Sequence, residues 1–77
     1  MPKVGAMEVQ AILFDKSKYS TTTARAWLKK HNYVARSMRI TENLYRYRIV
    51  EPNKFNQKTF KLIHITDGVK AVVGKLL

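Results

Sequence analysis

The spacing of hydrophobic positions changes along this chain, and each change marks an element. Residues 8–14, Glu-Val-Gln-Ala-Ile-Leu-Phe, form a compact apolar run. It is short and bounded by the polar break Asp15-Lys16-Ser17-Lys18, so it predicts a buried strand. Next, Ala24, Trp27 and Leu28 follow the i, i+3, i+4 rule and make one stripe of a helix. Ser20 suits the N-cap, where its hydroxyl can accept an orphan backbone N–H. Tyr19 and Ala24 stand at the N′ and N4 positions of a hydrophobic staple. Lys29, Lys30 and His31 fall in the last turn, where cations meet the negative end of the helix dipole. Asn32 tolerates the left-handed conformation that ends many helices.

Beyond the helix the period becomes two. Residues 33–40 predict a strand with Val34, Met38 and Ile40 on one side, Ser37 and Arg39 on the other, and Arg36 on the apolar side, either at an edge or snorkelling. Thr41-Glu42-Asn43 reads as a tight turn. Residues 44–50 alternate, with Tyr45, Tyr47 and Ile49 against Arg46 and Arg48. Glu51 to Gln57 reads as a polar loop, since Pro52 bars a central strand. Residues 59–65 and 69–76 predict two further strands around the hairpin signal Asp67-Gly68. The order is β-α-β-β-β-β over a single domain, residues 1–77, with residues 1–6 as a flexible arm. The expected fold is α+β, a mostly antiparallel sheet with one helix packed on one face. Trp27 and Leu28 would plug that face above Tyr45, Tyr47 and Ile49. The opposite face would carry Arg39, Arg46, Arg48, Lys61 and Lys70.

Charge sharpens this picture. Fifteen Lys and Arg against five Asp and Glu give +10 on 77 residues. Such an excess repels itself unless a polyanion meets it, and counterion release rewards each neutralised phosphate. A hydrophobic share of 45% is too high for a disordered polybasic tail. The absence of cysteine excludes disulfides and thiolate metal sites and fits a reducing setting. No apolar run approaches the roughly 20 residues of a membrane span, and the start lacks an apolar signal core. These features lead us to expect no membrane partner and a place in the cytosol, the nucleus or a virus particle.

Several short motifs recur in a fixed order. Phe14 precedes Lys16-Ser17-Lys18-Tyr19-Ser20; Trp27-Leu28-Lys29-Lys30-His31-Asn32 ends the helix. Tyr45-Arg46-Tyr47-Arg48, Pro52-Asn53-Lys54-Phe55 and Gly68-Val69-Lys70-Ala71-Val72-Val73-Gly74 follow. This series resembles a small basic module of large DNA viruses and tailed phages. Its pattern runs Phe-x-Lys, Trp-Leu-Lys-x-His-Gly, Tyr-Arg-Phe-Arg, Pro-x-x-Phe and Gly-Val-Lys-x-Val-x-Gly. Asn32 stands where the module has a helix-ending Gly, and Tyr19 where it commonly has Trp. The resemblance implies a viral setting, sometimes beside head-maturation proteins, and no particular reaction.

Catalytic chemistry finds little to stand on. His31 and His64 have no acidic cluster beside them, whereas a zinc site needs three or four ligands. No carboxylate pair shares a motif, and N-capping accounts for the Ser20 hydroxyl, although the Lys-rich helix N-terminus could also receive a phosphate. We therefore expect no enzyme, no metal and no cofactor. Arg46 and Arg48 point the same way on one strand, as a phosphate ladder requires. The expected interface is Arg39, Arg46, Arg48, Lys61 and Lys70, with Lys29 and Lys30 at the helix end. It would bind nucleic acid, DNA first, with weak sequence preference, because no recognition helix is visible. The alternative is a structural virion or capsid-assembly protein docking the same basic face on an acidic virion protein. The sequence leaves the oligomeric state open.

Overall fold

The computed structural model describes residues 7–77, and the arm expected over residues 1–6 lies outside them. The elements are β1 (Met7–Asp15), α1 (Thr21–Lys30), β2 (Ser37–Ile40), β3 (Leu44–Arg48), a 3₁₀ turn (Pro52–Lys54), β4 (Phe55–Thr66) and β5 (Val69–Leu76). All strands join one antiparallel sheet in the order β2-β3-β1-β5-β4. The apolar β1 lies at the centre, flanked by the hairpins β2-β3 and β4-β5. The fold is α+β with one helix, as the hydrophobic pattern implied.

Local chemistry sets the helix. Ser20 Oγ accepts the Thr23 N–H at 3.2 Å, and the Ser20 N–H donates to Thr23 Oγ1 at 2.8 Å, closing a capping box. At the other end Asn32 takes φ 63°. The Tyr33 N–H then donates to the Leu28 carbonyl and the Asn32 N–H to the Lys29 carbonyl, which is a Schellman motif. Ala24 and Leu28 are buried against Ile12 and Phe14 of β1, Tyr47 of β3, and Val69, Ala71 and Val73 of β5. This is the main core, and it defines the helix face of the sheet.

A smaller apolar cluster lies on the opposite, open face. The rings of Phe55 and Phe60 pack 5.5 Å apart. They close over Gly74, where a Cβ would stand 2.6 Å from the Phe60 ring. To bring both rings there, β4 takes five steps from Asn56 to Lys61 while β5 takes two from Lys75 to Val73. β4 is therefore interrupted by a wide bulge before its regular pairing begins.

Four expectations are corrected. Residues 33–36 are not strand; they carry the chain from the Schellman turn to the sheet edge, and Val34 is 79% exposed. Ile40 is also exposed, because β2 is an edge strand beyond the reach of the helix. Trp27 is only half-buried: it meets Phe14 edge-on at 5.6 Å and stacks on His31 at 4.0 Å at the rim of the core. Finally, residues 55–57 belong to β4, since Phe55 docks in the second cluster and extends the strand past the polar loop expected there.

Candidate nucleic-acid interface

The period of two along β3 sends Tyr45 and Tyr47 to the helix face and Arg46 and Arg48 to the open face. Register then decides what joins them. Arg39 of β2 is the direct partner of Arg46, and Ser37 is the partner of Arg48. On the other side Arg46 pairs with Leu13 of β1, Leu13 with Lys70 of β5, and Lys70 with His64 of β4. One transverse row, Arg39-Arg46-Leu13-Lys70-His64, thus crosses the whole sheet. With neighbouring strands about 4.8 Å apart, Arg46 and Lys70 are anchored roughly 10 Å from one another.

The arginine end of this row is concave. Ser37, Met38, Arg39, Arg46 and Arg48 line a cleft of about 450 Å³ that contains no carboxylate. Like charges directly opposed across an antiparallel pair are destabilising, so the Arg39–Arg46 pairing favours an anion at this spot. Arg46 is also braced from below. Its Nη2 donates to Gln10 Oε1 at 3.3 Å, and Gln10 Nε2 donates to the Val50 carbonyl at 3.0 Å. Gln10 sits in the β1 bulge between Val9 and Ala11 and is buried. A guanidinium has five N–H donors, so this bond fixes Arg46 while leaving donors free to face solvent.

Both aspartates are engaged elsewhere. Asp15, two residues beyond Leu13 on β1, accepts the Ser17 N–H at 2.9 Å and the Ser17 hydroxyl at 2.8 Å. These bonds, the backbone one first, hold its carboxyl below the ordinary value, with smaller help from Lys18 and Lys70. Asp67 forms a 2.7 Å ion pair with Lys18, whose ammonium pKa is raised chiefly by that hydrogen bond. No arginine is within ion-pair distance of an acid among the described residues.

Of the seven basic residues expected at the interface, Arg39, Arg46, Arg48 and Lys70 share the open face. Lys61 does not. It pairs with Val73, whose side chain is in the main core, so Lys61 lies on the helix side. The bulge in β4 set that phase, and alternation within the strand could not reveal it. Lys29 and Lys30 also stand on the helix side, at the exposed end of α1, away from the arginine row. His64, by contrast, joins the row beside Lys70. Gln10 was not singled out from the sequence; a polar residue interrupting the apolar run of β1 was the available signal. Among the described residues no group of three His, Cys, Asp or Glu is placed to hold a metal ion, and no helix is long and apolar enough to cross a membrane.

Compared with known proteins, the chain matches no family model, no curated protein and no solved structure.

Proposed function

We propose that this chain is a non-enzymatic module that binds nucleic acid, DNA first, through phosphate contacts on the open face of its sheet. The observation that carries this reading is the directly opposed pair Arg39 and Arg46, which with Arg48 lines a carboxylate-free cleft in line with Lys70. Cations gathered on one sheet face, with Arg46 braced by Gln10, suit a repeating anion, and the lack of a recognition helix suits binding that is indifferent to sequence. The viral setting implied by the motif series is part of the same proposal.

The test is a binding titration on duplex DNA at several salt concentrations. With Arg39, Arg46, Arg48 and Lys70 each neutralising one phosphate, the log–log slope should be about −3.6. Replacing Arg46 and Arg48 by Gln should flatten it by roughly two units and weaken all sequences alike. No binding at low salt, or an unchanged slope in the double variant, would refute the proposal.

A second reading, docking on an acidic virion protein, draws on a different feature. β4 is a twelve-residue edge strand with Leu62, Ile63 and Ile65 exposed. Long apolar edges offer free backbone groups to a partner strand. Loss of DNA binding combined with retention of an acidic protein partner through Lys61 and the β4 edge would favour it.

A further inference from the structure

On the other side of β3 lies a second cleft of about 370 Å³, between α1 and the segment that leads into β2, which shares Ser37 and Met38 with the arginine cleft. Arg25 and Lys29 of α1 face it from one wall and Arg36 from the other, with Tyr33 and Met38 between them and Tyr47 at the sheet. No acidic residue lines it. The Tyr47 ring is part of the core and only 1% of the residue is exposed, yet its hydroxyl has no hydrogen-bond partner. Buried hydroxyls are nearly always bonded, and an unpaired one is a standing penalty. The residues directly opposed to Tyr47 are Ile12 and Met38, and neither side chain offers a strong acceptor.

Three cations, an aromatic and apolar wall, and one orphan donor define a complementary ligand. The cations call for a dianionic group such as a phosphate monoester. The cleft exceeds what a bare anion fills and falls within the ordinary range for small-molecule sites. Tyr33 and Met38 suit a flat body, and the Tyr47 hydroxyl suits an acceptor on that body. We infer that this cleft binds a nucleoside monophosphate, with its phosphate among Arg25, Lys29 and Arg36 and a base or sugar acceptor on the Tyr47 hydroxyl. Contact with that hydroxyl requires half-buried Met38, an unbranched and adaptable side chain, to move aside. The nucleotide is either free or the terminal unit of a single strand; the recognising chemistry is the same. This site goes beyond the phosphate row, which lies on the opposite face of the same strand.

The experiment is an NMR titration of the full chain with adenosine monophosphate, inorganic phosphate, and a short single strand with and without a 5′-phosphate. Saturable binding of the nucleotide at millimolar concentrations or below is expected, with the largest shifts at Tyr33 and Tyr47. Tyr47→Phe removes only the orphan oxygen, so the fold and its thermal stability are retained while nucleotide affinity falls about tenfold. Arg36→Gln weakens the nucleotide as well. Replacing Arg46 and Arg48 by Gln leaves nucleotide affinity unchanged, so failure of the phosphate row and failure of this cleft read out separately. Tighter binding of the 5′-phosphorylated strand than of its unphosphorylated twin identifies a strand end; binding of the mononucleotide alone identifies a free nucleotide. No binding at millimolar concentrations, full affinity in Tyr47→Phe, or inorganic phosphate binding as tightly as the nucleotide would each overturn the inference.

Discussion

Arg46 and Gln10 are joined at 3.3 Å across the β1-β3 boundary, and Gln10 in turn bonds the Val50 carbonyl. A buried amide in a β-bulge thus links the guanidinium on the open face to the chain leaving β3. Gln10→Ala removes both bonds. It should destabilise the fold by about 1–3 kcal/mol through unpaired buried polar groups and release Arg46 from its fixed pose. Urea unfolding gives the first effect. The second would appear as weaker DNA binding with little change in salt slope, because the charge remains.

Gly74 has no room for a side chain. A methyl there would meet the Phe60 ring at 2.6 Å and the Phe55 ring at 3.2 Å. Gly74→Ala should therefore destabilise by about 1–3 kcal/mol through overpacking. Combining it with Phe60→Leu should recover part of that loss, and a double-mutant cycle on thermal unfolding measures the coupling.

Trp27 stands at the rim of the core, with Phe14 edge-on and His31 stacked outside it. A fully buried aromatic truncated to alanine costs about 3–5 kcal/mol, so half-burial brings the expected loss for Trp27→Ala to about 2 kcal/mol. Cooperative unfolding should survive. Acrylamide should quench native Trp fluorescence partially, between the limits of a buried and a free indole.

Two exposed interactions tie the β1-α1 turn and predict a pH dependence. Asp15 has a lowered pKa from its bonds to Ser17. Its stabilisation is complete above the unfolded carboxylate value and is lost as pH falls through the lower folded value. Lys18 has a raised pKa from its bond to Asp67. Its stabilisation is complete below the unfolded lysine value and is lost as pH rises through the higher folded one. The urea midpoints of wild type and Asp15→Ala should therefore converge in acid, and those of wild type and Asp67→Ala in alkali.

Lys61 and Lys70 test the face assignment directly. Both were expected beside Arg46, but only Lys70 shares its row. Lys70→Gln should flatten the salt slope on duplex DNA by about one unit, whereas Lys61→Gln should leave it nearly unchanged. Equal effects would mean that DNA wraps the β4 edge.

The helix was legible because its determinants are local. Ser20, Ala24, Leu28 and Asn32 act within a few residues of one another, and each took its expected role. The bounds of β5 and the position of the Asp67-Gly68 turn were legible for the same reason, as was the opposition of Tyr47 to Arg46 and Arg48 within β3. What the chain alone left undecided is the phase between strands. In residues 60–65 both alternating sets contain apolar members, so nothing local says whether Lys61 or His64 joins the arginines. The long bulge before Lys61 answers that, and it exists because Phe55 and Phe60 must both reach Gly74 across the hairpin. Because side chains alternate with period two, an odd number of extra residues turns every later position to the other face. The same holds for Tyr47: alternation buried its ring, but only the placement of α1 and β2 around it left the hydroxyl without a partner, in a residue that borders a cleft lined by three cations.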